Sequence, residues 1–205
     1  MAEKGTGAKR LGRPTLTAAD WAQAALQLIA EAGLGALTVE ALAERLGVTK
    51  GSFYWHFSGR SDLLAAALAR WEQRTTKEAI VGLSAVTDAR QRLCLILDAA
   101  SQPPRSRSLY AALAEAAEDP VVGSALNRVA LARIGYLEVC YRELGFAQAA
   151  AKAKAVFAYS AYRGLLQLAH EAPDALPTDW SNYPSIVREA LVPSPRAKVR
   201  PGRKG

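Results

Sequence analysis

Residues 37–57, LTVEALAERLGVTKGSFYWHF, constrain this chain more than any other stretch. Two short helices joined by a tight turn are written into them, each with its own start signal. Thr38 can cap the first helix, because its hydroxyl can accept from a backbone N–H that has no partner within the turn. Leu37 and Leu42 fit a hydrophobic staple across that cap. Leu42, Ala43 and Leu46 share one face at helical spacing. Gly47 then stops the helix, since a left-handed backbone costs glycine little. Thr49 repeats the start signal, with Val48 and Phe53 as its staple. Phe53 and Phe57 lie one turn apart and can both point inward. Lys50, Gly51, Ser52, Tyr54 and Trp55 are left on the outer or flanking faces.

These are the residue types a helix needs if it enters a DNA major groove N-terminus first. Lysine reaches guanine acceptors or phosphate, and serine bonds to either. Gly51 lets backbone approach closely, and Tyr54 and His56 offer ring-borne donors to phosphate oxygens. The alternative is an ordinary helical hairpin inside an all-α core, which caps and staples alone do not exclude. An exposed Tyr-Trp pair beside lysine and glycine favours a contact surface.

The run TVEALAERLGVTKGSFYWHF, followed by SGRSDLLAAAL, resembles the DNA-binding domain of TetR-type transcriptional regulators. The resemblance spans about residues 16–70; residues 80–192 resemble the family only in helicity and length. It implies that the position of Thr38 touches phosphate, that those of Lys50, Gly51 and Ser52 read bases or backbone, and that those of Tyr54 and His56 hold phosphates. Arg60 stands where the family usually opens its fourth helix with lysine, and Gly59 where it often has a serine-like cap. With Arg10 and Arg13 of an N-terminal arm, the expected DNA-contact set is Arg10, Arg13, Thr38, Thr49, Lys50, Gly51, Ser52, Tyr54, Trp55, His56 and Arg60.

A chain of 205 residues, half of them apolar, can hold a small domain and a larger one. No charge-free apolar run approaches a membrane span, and the N-terminus lacks an apolar signal core, so a cytoplasmic protein is expected. The net charge of +7 is uneven: residues 1–16 carry +3, residues 193–205 carry +5, and the body between them carries −1. Basic tails of this kind suit nucleic acid, or simply keep a chain soluble. Lys9-Arg10-Leu11-Gly12-Arg13-Pro14 is similar to arms that enter a minor groove, and equally to a solvated tail. Cys94 and Cys140 sit in apolar helical patterns and read as reduced, buried thiols, with no metal site and no cofactor expected.

The fold class is therefore all-α. An N-terminal arm (1–16) precedes a three-helix helix-turn-helix DNA-binding domain (17–62). A C-terminal helical ligand-binding and dimerisation domain (63–192) and a basic tail (193–205) follow. A first helix is predicted from Thr17 to about Ala32, buried through Trp21, Ala24, Ala25, Leu28 and Ile29. A long helix from Arg60 toward residue 77 connects reader and body. Further helices are expected at about 87–101, 106–117, 121–144, 147–171 and 183–191, broken by prolines and Gly145.

Residues 146–172 are apolar on nearly every side and need partners on every side. Ala155, Ala158, Tyr159, Tyr162, Leu165, Leu166 and Ala169 form one stripe. Val156, Phe157, Ser160, Ala161, Gly164 and Leu168 cover much of the other side. The first stripe, with Ile186, Val187 and Leu191, is the expected seam of a four-helix homodimer interface; the alternative is that both faces are covered within one chain. A dimer would place two readers on successive major grooves of a palindromic operator.

The resemblance implies a small-molecule pocket in the body. Trp71, Leu97, Tyr110, Leu113, Tyr136, Cys140 and Phe157 are candidate walls, or simply core. None is charged, which points to an uncharged or largely apolar effector. An enzyme is disfavoured: there are two histidines, and no triad, carboxylate pair, phosphate loop or metal spacing appears. The expected function is a ligand-released repressor; the rival is a ligand-independent or architectural DNA-binding regulator with a filled body.

Overall fold

The computed structural model describes residues 16–103 and 109–194. Arg10, Arg13 and both basic tails lie outside the described residues. Every regular element described is helical: α1 (Ala18–Ala32), α2 (Val39–Leu46), α3 (Lys50–Tyr54), α4 (Arg60–Glu72), α5 (Glu78–Ser84), α6 (Ala89–Ala100), α7 (Leu109–Glu115), α8 (Pro120–Glu143), α9 (Gln148–Glu171) and α10 (Tyr183–Leu191). No helix among the described residues is long and apolar enough to cross a membrane.

The helix ends follow local chemistry. Thr17 caps α1 reciprocally: its hydroxyl accepts from the Asp20 N–H at 3.3 Å, while Asp20 Oδ2 accepts from the Thr17 N–H at 2.8 Å. Thr38 Oγ1 accepts from the Ala41 N–H at 3.1 Å, and Gly47 ends α2 at φ 66°, in the left-handed region. Asp119 caps α8 by accepting from the Val121 and Val122 N–H groups, with Pro120 in the first turn. Gly123 is required for packing, since a Cβ there would lie 2.6 Å from the Ala117 carbonyl oxygen.

Two apolar clusters hold the chain together. The first gathers Trp21, Ile29, Leu42, Phe53, Leu63, Leu64, Leu68 and Trp71 from α1–α4, and Tyr110, Leu113, Val122 and Val129 from α7 and α8. The reader's core thus runs past residue 62 into the body. Leu28 is half-buried at its margin, and Leu26 is among the buried residues of α1. The second cluster joins Leu93, Leu97, Leu137, Tyr141, Ala151, Ala155, Ala158, Tyr159 and Leu191 from α6, α8, α9 and α10. Each large side chain so buried contributes about 1.5–3 kcal/mol against exposure. The Tyr141 hydroxyl donates to the Leu191 carbonyl at 2.9 Å, which ties α10 to α8; burial pushes that phenol's pKa up to about 12.

Between α4 and α5 the chain stays helical but widens into one π turn, Gln73–Lys77. A π turn inside a helix needs a local cause. Here the Thr75 hydroxyl donates to the Trp71 carbonyl at 2.8 Å, and α8 grips the same turn from outside. Arg128 Nε reaches Glu72 at 3.0 Å, and Arg133 Nε reaches Thr76 Oγ1 at 3.1 Å.

Candidate nucleic-acid interface

The outward face of α3 is built from the inside. Phe53 is fully buried and meets Trp21 edge-on at 5.5 Å, with Phe57 at 5.5 Å on its other side. Anchoring Phe53 inward turns its neighbours outward. Tyr54 is 63% exposed and Trp55 87% exposed. Thr49, Lys50 and Gly51 are exposed beside them, and Ser52 and His56 are half-buried. Large aromatic surface left in solvent next to a cation marks a place of contact.

Several side chains carry a local duty as well. Lys50 Nζ pairs with Glu40, and that bond holds the Glu40 carboxyl below the usual carboxylate range. Thr38 spends its hydroxyl oxygen on the α2 cap and keeps its proton free to donate. Thr49 precedes α3 without a side-chain cap bond, so its hydroxyl stays available. A Cβ on Gly51 would meet only Thr49 Oγ1, at 3.7 Å, so any demand for glycine there comes from what docks against the helix.

Arg60 differs from expectation. Its Nε donates to the Leu37 carbonyl at 2.8 Å and its Nη2 to the Leu34 carbonyl at 3.0 Å. The guanidinium satisfies carbonyls of the α1–α2 connection and pins it to the start of α4. The plain glycine ahead of α4 is compensated in a way sequence reasoning missed: Asp62 Oδ2 accepts from the Ser58 N–H at 3.1 Å. A serine placed four residues before an aspartate was the available signal.

The body holds a cavity of about 400 Å³ between the π turn, α5, α6, α8 and α9. Of the seven expected wall residues, Leu97 and Tyr136 line it. Trp71, Tyr110 and Leu113 belong instead to the first apolar cluster. Cys140 is buried in packed surroundings away from the cavity wall, and burial raises its thiol pKa. Phe157 points away, 64% exposed on the outer face of α9. The walls also include Arg133, so the basis for expecting an uncharged effector fails.

The expected dimer seam is corrected too. Ala155, Ala158, Tyr159, Leu165, Ala169 and Leu191 are buried within their own chain, and Tyr162, Leu166 and Val187 are half-buried. Their stripe packs on α8, α7 and α6, so a second subunit cannot reach most of it. Ile186 is exposed, and the outer face of α9 offers Val156, Phe157, Ser160, Ala161, Gly164 and Leu168.

The described residues are all-helical, with a short helix-turn-helix ahead of a helical body that holds a cavity. The profile of the bacterial regulatory proteins of the tetR family matches residues 23–67. Over 46 residues the chain is 41% identical to the HTH-type transcriptional regulator SrpR of Pseudomonas putida, covering 22% of each protein. Over 44 residues it is 50% identical to the class A tetracycline repressor protein from transposon 1721 of Escherichia coli, covering 22% of this chain and 20% of that one. The chain thus matches about a fifth of the length of these two curated relatives. The solved reduced form of E. coli NemR superposes with a TM-score of 0.69 at 19% identity, over 88% of this chain and 99% of that one. A TetR transcriptional regulator from Legionella pneumophila gives 0.68 at 16%, over 83% and 95%. A Saccharomonospora viridis transcriptional regulator in complex with choline gives 0.65 at 18%, over 84% and 93%. At these identities the structural likeness speaks for the fold. Residues 23–67 thus carry the N-terminal DNA-binding domain of the tetR family of bacterial regulatory proteins, and the described residues share the fold of solved TetR regulators. These curated relatives and the Legionella pneumophila neighbour are named as transcriptional regulators or as a repressor.

Proposed function

We propose that this protein is a cytoplasmic, sequence-specific DNA-binding repressor. It acts as a homodimer on a palindromic operator and is released by a small molecule. The observation that carries the reading is the α3 surface: Lys50, Gly51 and Ser52 at the tip, Tyr54 and Trp55 in solvent, all held in place by a buried Phe53. A helix tip of that kind suits base edges, and the flanking hydroxyl and ring donors suit phosphates. The outer face of α9 supports the second subunit, with Phe157 64% exposed and open space where a Cβ on Gly164 would stand, and Ile186 of α10 is 61% exposed. Small residues between large ones let a partner helix come close. The cavity supports an effector over the ligand-independent alternative, which called for a filled body.

The test is operator binding by electrophoretic shift, using DNA upstream of the protein's own gene with and without competitor. Lys50→Ala and Tyr54→Ala are each expected to weaken binding by about tenfold to a hundredfold, the scale of one good base or phosphate contact. Sedimentation of both variants should stay that of the parent. Unchanged operator affinity in both would refute the assignment.

A further inference from the structure

The cavity is not equally closed on all sides. Leu137, Ala158 and Tyr159, from α8 and α9, are buried, and Arg133, Tyr136 and Tyr162 beside them are half-buried. Among the lining residues, the exposed ones are Thr75, Ala79, Leu95 and Ala99, and they all stand on the π turn, α5 or α6. The mouth therefore lies on the α5–α6 side, with α8 and α9 as the floor. The two helices at the mouth are held differently. α6 buries Arg92, Leu93 and Leu97, and Asp98 ties it to Arg188 of α10 at 3.0 Å. α5 buries none of its seven residues, although Ala79, Ile80, Val81 and Leu83 are apolar. Ile80 and Leu83 line the cavity and are half-buried, while Val81 stands in solvent. The Ser84 hydroxyl bonds within α5, to the Ile80 carbonyl at 2.9 Å, and the ion pairs among the described residues engage no residue of this helix.

Both ends of α5 are pinned by arginines. Arg133 Nε donates to Thr76 Oγ1 at 3.1 Å just before it, and Arg92 Nη1 donates to the Val86 carbonyl at 3.2 Å just after it. Between those anchors the helix is unsupported. So short a helix is marginal without tertiary packing, and Gly82 in its interior lowers its propensity further. Resting on the reading of this cavity as a ligand site, we infer that α5 is its gate. α5 unwinds between the two anchors, a ligand passes between it and Leu95, and α5 rewinds with Ile80 and Leu83 against the ligand. Local opening occurs where few apolar groups are buried, and α5 is such a place. Opening α6 instead would draw Leu93 and Leu97 into water. A bound ligand gives Ile80 and Leu83 the apolar surface they lack, so filling the cavity holds the gate shut.

The test uses the full-length protein and N-phenyl-1-naphthylamine, a probe that fluoresces in apolar surroundings. Hydrogen–deuterium exchange read by mass spectrometry should find the α5 amides of the free protein exchanging about a hundredfold or more faster than those of α6, and slowing about tenfold with saturating probe. Gly82→Ala adds a methyl group into open space, so it acts on helix propensity alone. Stopped-flow fluorescence should find probe association and dissociation both slowed about fivefold, the scale of a glycine-to-alanine exchange inside a helix, with affinity unchanged. Parental rates in Gly82→Ala overturn the inference, as does a change confined to one of the two rates. α5 amides as protected as those of α6 in the free protein overturn it too, as does a probe that binds without slowing their exchange. A probe that does not bind sinks the ligand-site reading and the gate with it. Operator release is scored separately by electrophoretic shift. Gated entry that leaves the operator complex intact keeps the gate and sinks the effector reading.

Discussion

Glu40 occupies a telling position. It sits in the first turn of α2, pairs with Lys50 across the turn of the helix-turn-helix, and is itself exposed. An exposed pair of this kind adds little to stability. Near a phosphate backbone its effect is larger, because the carboxylate both occupies the lysine and repels the duplex. Glu40→Ala is therefore expected to tighten non-specific DNA binding several-fold and to raise operator affinity less, so that discrimination falls. Fluorescence anisotropy on operator and random duplexes at equal salt would measure it. A weaker affinity for both duplexes would mean that the Glu40 pairing pre-positions Lys50 for the groove.

At the scale of elements, the junction of α4 with the body is the informative part. Glu72 is buried at the end of α4 and accepts from Arg128, with Lys77 at 3.2 Å. Burial alone would raise its pKa, but the bonds from Arg128 and Lys77 outweigh burial and leave it below the ordinary 4.5. A depressed carboxyl stabilises the fold fully above its ordinary value, and that contribution fades as pH falls through the lower folded value. Glu72→Gln should cost about 1–3 kcal/mol at neutral pH, the range for hydrogen bonds to charged groups. The gap between variant and parent in urea unfolding should narrow below about pH 4.5. A gap that stays constant down to pH 3 would remove the carboxylate's charge from the explanation.

Much of this level was legible in advance. Thr17, Thr38, Asp119 with Pro120, and Gly47 announce helix ends by local chemistry, and the structure places ends where they stand. The π turn, the cavity and the buried face of α9 were not legible, for a common reason. Periodicity says which residues share a face, as Ala155, Ala158 and Tyr159 do, but not which neighbour that face meets. Bulk points to Phe157 as a wall, though it faces outward, and gives no sign of Arg133, which lines the cavity. A cavity is a distance between helices, and no single residue encodes it.

The whole molecule is a nearly neutral body carrying strongly basic ends, with a sequence charge of +7 concentrated outside residues 17–192. Affinity for DNA should then depend on how many phosphates one particle engages, and dimerisation doubles that number. The outer face of α9 is where the doubling is expected. Phe157 is 64% exposed, so it contributes little to its own subunit's core. Placing a carboxylate there leaves the fold intact and sets two like charges against each other across a two-fold axis, in a setting that would have to be desolvated. Phe157→Glu is expected to give a folded monomer by sedimentation, with a parental circular dichroism spectrum. Because the second reader would lose its tether to the first, affinity for a full palindrome should fall by about a hundredfold or more. The slope of log affinity against log salt should drop to about half, since half the phosphates are engaged. A variant that remains dimeric with the parental salt slope would move the interface off this face of α9.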